Sequence, residues 1–245
     1  MKVCIVIPAY NEQKRIAATL KAYNQFFSDK KTTENLDYEI LVLINGTTDA
    51  TPAIVADLQK EMPNLLSREI KEGGKGLAVN VGFSDALTRP NDLIGFVDAD
   101  MATSPQAFYD LIAHLDNYDG IIASRYMPGA SVTPPRPFIK RWGSKLFFGS
   151  LVRILFGLRY YDTQCGAKVF KRKVMETIVP YLSVKQWAFD IELLSLCKKF
   201  GFTIKEFPTI WNDQEGSKLQ TVSAGFAMIK TLFVLRRHQR EKGIR

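Results

Sequence analysis

Val3-Cys4-Ile5-Val6-Ile7-Pro8-Ala9-Tyr10-Asn11-Glu12 opens the chain with an apolar, β-branched run that breaks at a proline and passes directly into the amphipathic stretch Glu12–Phe27. A short apolar run followed by a helix-length amphipathic segment is half of a βαβ unit. The pattern recurs outward from there. Tyr38–Ile44 precedes Thr51–Glu61, Arg68–Lys71 precedes Gly76–Leu87, Leu93–Val97 precedes Pro105–Leu115, and Gly120–Ala123 ends the series. Strands separated by helices pair in parallel, so the expected fold class is α/β, a mostly parallel central sheet with helices on both faces. Ligands of such sheets bind beyond the carboxyl ends of the strands, which directs attention to Pro8–Glu12, Asn45–Asp49, Asp98–Thr103 and Ser124–Arg125.

After residue 126 the pattern changes. A loop rich in glycine and proline, Met127–Pro137, leads into a helix-like stretch, Lys140–Leu158, whose polar residues Lys145, Gly149, Arg153 and Gly157 form one thin stripe. A helix this apolar is either buried or lies on a membrane, and the flanking Arg136, Lys140, Arg141 and Arg159 keep the second option open. Val222, Phe226, Ile229 and Phe233 mark a further amphipathic helix with a basic end. The expected organisation is one domain over 1–220, with an interfacial helix inserted at 136–160, and a basic amphipathic helix at 221–245.

The 245-residue chain carries a net charge of +8, and the excess is regional. Between Arg125 and Arg172 there are ten lysines and arginines against one acid, Asp162, which leaves the rest of the chain close to neutral. A local excess of this kind either meets an anionic partner or is simply a solvated face. The start of the chain has no apolar h-region, so a cytoplasmic location is expected. The longest apolar stretches contain Arg153 and Lys230 and fall short of the roughly 20 residues that cross a bilayer. Cys4, Cys165 and Cys197 are too few and too scattered for a disulfide framework or zinc site, and read as buried thiols.

Phe96-Val97-Asp98-Ala99-Asp100 is the strongest local signal, an apolar strand that ends in two carboxylates one residue apart. Paired hard oxygen ligands suit Mg²⁺ or Mn²⁺, which complete their shells with substrate phosphate and water. Polar residues at the start of the helix at Pro105 could equally be caps. Glu72-Gly73-Gly74-Lys75-Gly76 follows the third strand and opens a helix, where glycines allow close backbone approach and the helix N-terminus with Lys75 favours an anion. A plain tight turn has the same composition. It is neither a P-loop nor a dinucleotide fingerprint, because no Ser or Thr follows Gly74-Lys75 and the glycine spacing is wrong.

Taken in order, Val6-Ile7-Pro8-Ala9-Tyr10-Asn11-Glu12, Asn45-Gly46-Thr47-Thr48-Asp49, Gly74-Lys75-Gly76, Asp98-Ala99-Asp100-Met101-Ala102-Thr103, Ala123-Ser124-Arg125-Tyr126, Asp162-Thr163-Gln164-Cys165-Gly166, Trp187-Ala188-Phe189-Asp190-Ile191-Glu192 and Gly216-Ser217-Lys218-Leu219 resemble the inverting family 2 glycosyltransferases. Within that family they are most similar to the dolichyl-phosphate β-glucosyltransferase branch, with the dolichyl-phosphate mannose synthases next. The resemblance implies a GT-A fold, a divalent cation (Mg²⁺ or Mn²⁺) and a nucleotide-sugar donor. It implies that Pro8, Tyr10 and Glu12 line the nucleotide site, that Asp98 and Asp100 hold ribose and metal, and that Arg125 and Lys218 meet phosphates. Asp162 and Gln164 would lie near the reacting sugar, Ser217 on the acceptor side.

Two departures stand out. Relatives carry two aspartates where this chain has Ile44-Asn45, and the second of those contacts the base. Ala102-Thr103 follows the acidic pair where mannose synthases place a glutamine, which favours UDP-glucose over GDP-mannose. The implied acceptor is a polyprenyl phosphate on the cytoplasmic face of a membrane, with Arg125, Arg136, Lys140 and Arg141 on its side, and no nucleic acid is expected. A phosphate monoester, with its second pKa about 6, arrives already ionised and needs no strong general base. A hydroxyl acceptor, as in a soluble family 2 enzyme, would need one, for which Asp190 or Asp162 are the candidates. An inactive nucleotide-sugar-binding scaffold is the third reading.

Overall fold

The structure, a computed structural model, describes residues 1–135, 148–213 and 222–241. The chain begins by alternating strand and helix: β1 (Lys2–Ala9), α1 (Ile16–Glu34), β2 (Asp37–Asn45), α2 (Thr51–Gln59), β3 (Leu65–Ile70), α3 (Lys75–Ala86), β4 (Leu93–Val97), α4 (Pro105–Ala113) and β5 (Gly120–Ser124). Then come β6 (Ser131–Thr133), a helix over residues 148–156 (α5), β7 (Ala167–Lys171), α6 (Arg172–Ile178), a 3-10 turn at Val179–Tyr181, α7 (Phe189–Lys199), β8 (Ile204–Pro208), β9 (Ile210–Asn212) and α8 (Val222–Glu241). Among the described residues seven strands form one sheet in the order β3-β2-β1-β4-β7-β5-β8. Only β7 runs against its neighbours β4 and β5, and the other pairings are parallel. The α/β class with a mostly parallel sheet is therefore what the chain adopts.

The period of two along the strands builds the layers. On β1, Val3, Ile5 and Ile7 face a core completed by Ile16, Leu20, Tyr23 and Phe27 of α1 and Phe108 and Leu111 of α4. Cys4 and Val6 face the other side, where Val79 and Phe83 of α3, Met175 of α6 and Leu194 of α7 close over them. With both faces covered, the strand interiors read as unbroken apolar runs. All three cysteines lie in these cores, where burial pushes their thiols up.

Several boundaries moved. The first helix starts at Ile16 rather than near Glu12, because Asn11 takes a positive φ of 53° and the Glu12 N–H donates to Thr51 Oγ1 (2.9 Å). It ends where Asn35 turns left-handed and its N–H caps Lys30 O. The third strand starts at Leu65, three residues before Arg68. The inserted helix expected at 136–160 is described only over 148–156, and the boundary expected near 220 lies outside the described residues. The small sheet that pairs β6, within the Gly/Pro loop, with β9 was not expected.

The order of strands also fixes where a ligand can go. From β1 the chain moves to β2 and β3 on one side, then returns to β4 on the other. The crevice at the carboxyl ends of β1 and β4 is the switch point of the sheet.

Candidate active site

At that crevice the chain leaves β4 as Asp98-Ala99-Asp100. The Asp98 N–H donates to Gly166 O (3.1 Å), which ties this loop to the turn before β7. A Cβ at Gly166 would collide with the Asp98 carboxylate, so the close approach requires glycine. The Ala102 N–H donates to Asp100 Oδ1 (3.0 Å), and Met101 takes a positive φ of 60° to permit it. From below, α1 braces the loop. Thr19 donates to Ala99 O (2.7 Å) and Tyr23 to Thr103 O (2.9 Å). Ser104 caps α4 by accepting from Ala107 N–H (3.2 Å), with Pro105 in the first turn. The capping role thus falls on Ser104 and leaves both carboxylates to other work.

Lys75, the first residue of α3, makes an ion pair with Asp98. Its ammonium also lies 5.6 Å from the centre of the Trp187 ring. Burial opposes the charge on Lys75, but the carboxylates of Asp98 and Asp190 outweigh it and hold its pKa up. Among the described residues no cation pairs with Asp100, although Arg15 and Lys75 act on it from further away. Burial and the neighbouring charge of Asp98 raise its pKa above the ordinary carboxylate value. Among the described residues the site therefore offers its acidic pair less positive charge than the pair carries. Two hard carboxylates and a shortfall of positive charge fit a divalent cation that takes its remaining ligands from a diphosphate and water. No cluster of three or more potential metal ligands occurs among the described residues.

The loops after β1 and β2 are stitched together beside this point. Asn11 Oδ1 accepts from Thr48 N–H (2.9 Å), Asp49 Oδ2 from Gln13 N–H (3.1 Å) and Asp49 Oδ1 from the Thr51 hydroxyl (2.5 Å). Glu12 pairs with Arg15 Nη2 (2.7 Å), Tyr10 is exposed, and Pro8 is half-buried at the end of β1. Asn45 is buried. With its amide turned so that both ends find partners, it donates to Ala9 O (2.9 Å) and accepts from Gly74 N–H (3.0 Å), which holds the end of β1 to the start of α3. Gly74 has φ 146°, and Lys185 O sits where a side chain would go.

On the far side of Asp98 two further acids are sealed. Asp162 accepts from Arg125 Nε (2.7 Å), Arg125 Nη2 (3.0 Å) and the Arg125 backbone N–H (3.1 Å), a bidentate pair of the strong kind. Burial raises the Asp162 carboxyl, yet Arg125 overcomes it and holds the pKa below the usual range. Glu206 of β8 accepts from the backbone N–H groups of Tyr161 (2.8 Å) and Asp162 (2.7 Å) and so fixes the turn. Gln164 lies in the same turn, its N–H on Asp162 Oδ1 (3.2 Å). Asp190, in the first turn of α7, meets Lys168 of β7 at 2.5 Å, and that fully buried ammonium also donates to Cys165 O (2.7 Å).

Asp98, Asp100 and Lys75 are thus brought together, with Asp162, Arg125 and Gln164 across the Asp98–Gly166 contact. Pro8, Tyr10, Glu12 and Asn45 border the crevice on its β1–β2 side. Arg136, Lys140, Arg141, Ser217 and Lys218 lie outside the described residues. Lys168, Glu206 and Trp211, whose ring centre lies 5.0 Å from the Arg125 guanidinium, were not anticipated as site residues. A lone lysine inside the apolar run Ala167–Phe170 was the available signal for Lys168.

Known proteins fit this geometry. A dolichyl-phosphate β-glucosyltransferase of Dictyostelium discoideum is 30% identical, over 95% of this chain and 73% of its own length. The Drosophila melanogaster protein of that name is 32% identical, over 96% and 74%. Among solved structures, mannosyl-3-phosphoglycerate synthase from Rubrobacter xylanophilus superposes with a TM-score of 0.67 at 17% identity, covering 100% of this chain and 76% of that one. Glucosyl-3-phosphoglycerate synthase from Mycobacterium tuberculosis, in complex with Mn²⁺, UDP and glucosyl-3-phosphoglycerate, gives 0.64 at 16%, covering 96% and 78%. These likenesses identify the sheet and its crevice as the GT-A fold. The model of glycosyl transferase family 2 matches residues 4–179, the span that holds the crevice and all but Asp190 and Glu206 of the acids described around it, and the chain belongs to that family.

Proposed function

We propose that this glycosyltransferase moves glucose from UDP-glucose to a dolichyl or other polyprenyl phosphate, with inversion. The observation that carries this reading is the state of the acids. Asp162 is occupied by Arg125 and Asp190 by Lys168, so neither offers a free carboxylate to deprotonate a hydroxyl. An acceptor that is itself a phosphate anion needs no such base. The names of the relatives, dolichyl-phosphate β-glucosyltransferases, support the same acceptor.

In this reading Asp98 and Asp100 hold a divalent cation, Mg²⁺ or Mn²⁺, which when bound neutralises charge on the leaving diphosphate. Lys75 and the N-terminus of α3 take the diphosphate from the other side. Arg125 has five N–H donors, of which Asp162 takes two, so it can also meet the acceptor phosphate and offset its repulsion from the donor. Asp162, Glu206 and Gln164 keep the turn that faces the sugar in place. Pro8, Tyr10, Glu12 and Asn45 form the nucleotide side, while Arg136, Lys140, Arg141, Ser217 and Lys218 belong to the acceptor and phosphate side.

The protein would act as a peripheral enzyme on the cytoplasmic face of a membrane. No described helix is long and apolar enough to cross one. Exposed Ile154 on α5 and Phe233 and Val234 on α8, with Arg153, Lys230 and Arg237 close by in sequence, support attachment to an anionic surface.

The test is to incubate the protein with Mg²⁺ or Mn²⁺, radiolabelled UDP-glucose or GDP-mannose and a polyprenyl phosphate, then count label in the lipid extract. Label from UDP-glucose is the expected result. Label on a water-soluble hydroxyl acceptor alone would instead favour the soluble enzyme, and tighter calorimetric binding of GDP than UDP would reverse the donor.

A further inference from the structure

Among the described residues the crevice brings the carboxylates of Asp98, Asp100 and Asp190 within influence of two ammonium groups, Lys75 and Lys168. Lys168 is not exchangeable. It is fully buried, held at 2.5 Å by Asp190 and 2.7 Å by Cys165 O, and lies over the Phe96 ring. Lys75 shares the Phe96 ring but differs in burial and in the openness of its partner. Its side chain retains 15% exposure, it sits on the first residue of a helix, and it pairs with Asp98, whose side chain retains 26%. Gly73, two residues before it, is bordered by open space. Lys75 is a long, flexible ammonium on a carboxylate that stays partly open, so it can leave that partner where Lys168 cannot.

This arrangement matters for the metal, on the reading given under Proposed function. We propose that Lys75 occupies Asp98 in place of the divalent cation until the donor binds, so that ammonium and metal compete for one carboxylate and the donor diphosphate ends the competition by drawing Lys75 to itself. Metal and nucleotide diphosphate then bind synergistically through a residue that touches both sites. The coupling is reciprocal, as any linkage between two binding equilibria must be.

The experiment is a Mn²⁺ titration by calorimetry or by the electron paramagnetic resonance of free Mn²⁺, on the full chain, with and without UDP. For the wild type, UDP should raise Mn²⁺ affinity. Lys75→Met keeps the length of the side chain and removes the competing charge. It should tighten Mn²⁺ binding to the UDP-free protein by about tenfold, within the usual range of coupling between sites, and shrink the further gain from UDP. Lys75→Arg keeps the charge and should stay near the wild type. If Lys75→Met is folded by circular dichroism and binds Mn²⁺ no more tightly than the wild type, the competition does not exist. If Lys75→Met does not fold, Lys75→Gln carries the same expectation and the same overturning result. A wild type that binds no Mn²⁺ even with UDP would sink the metal-dependent reading itself, a different outcome from an unchanged Lys75→Met.

Discussion

Two kinds of carboxylate lie at the same end of the sheet, and they differ in who neutralises them. Asp162 and Asp190 each have a cation supplied by the fold, Arg125 and Lys168, with geometry that satisfies the buried charge. Among the described residues Asp98 and Asp100 share one lysine, and burial raises the pKa of Asp100, as it also raises that of Asp190 against its partner, while Arg125 holds Asp162 low. Burying an acid is costly unless it is paired. Among the described residues the fold gives Asp162 and Asp190 a partner each and Asp98 and Asp100 one between them, which sets residues that hold the site together apart from residues kept for a ligand.

The comparison breaks most visibly at the open pair. Asp100→Ala, or Asp98→Ala, should reduce glucose transfer to lipid by on the order of 10³-fold, the scale lost with a principal electrostatic contact, while the chain still folds. The measurement is label in the lipid extract. Undiminished wild-type turnover in chelator-treated buffer would end the assignment of these acids to a metal.

At the sealed pair the damage should fall on stability. Lys168→Ala or Asp190→Ala alone leaves a buried charge without its partner, at about 3–5 kcal/mol. The double change Lys168→Met with Asp190→Leu removes both charges and should recover most of that loss in urea unfolding. Single changes that cost no more than the double one would show that the two groups are not coupled.

The smallest effect concerns pH. Raised acids such as Asp100 contribute stability that is fully present below the unfolded value of 3.8 and is lost as pH rises through the higher folded value. Lowered acids such as Asp162 do the reverse, stabilising above 3.8 and ceasing to as pH falls through the lower folded value. Asp100→Asn should therefore raise the melting temperature of the metal-free protein at neutral pH, each kcal/mol being worth about 2–4 °C in a chain of this size. The gain should fade as the buffer is acidified. A melting temperature that drops on this substitution would mean that Asp100 is as well neutralised as Asp162.

Much of this was legible in the residues. The runs Val3–Ile7 and Leu93–Val97 are apolar and uninterrupted because both of their faces are buried, Tyr38–Ile44 departs from that only at Glu39, which is buried and paired with Lys2 and Arg89, and the three mark β1, β4 and β2 together with the loops that follow them. Strand β7 was not legible. Its five residues include two lysines, Lys168 and Lys171, and a charged residue in a short run signals an exposed edge rather than the interior of a sheet. Nor could local pattern reveal that Arg125 meets Asp162, 37 residues away, or that Lys168 meets Asp190. Such pairs are fixed by topology, and side-chain periodicity carries information only about a segment's own face.

Strand β7 also has a consequence for the order in which the molecule can assemble. It stands between β4 and β5, so β5 makes no sheet contact with any strand that precedes it in the chain. While the polypeptide is being synthesised, β1 to β4 can pair among themselves, but β5 must wait for Ala167–Lys171 and for β8. Non-local pairings of this kind are slow to form and leave strand edges exposed in the interval. The same event that fills the gap in the sheet sets Gly166 against Asp98 and Lys168 against Asp190. Closure of the sheet and completion of the crevice thus draw on the same strand, and a chain arrested before residue 171 would carry the residues of its first four strands yet lack Asp190 and the finished strand that seats Gly166 against Asp98.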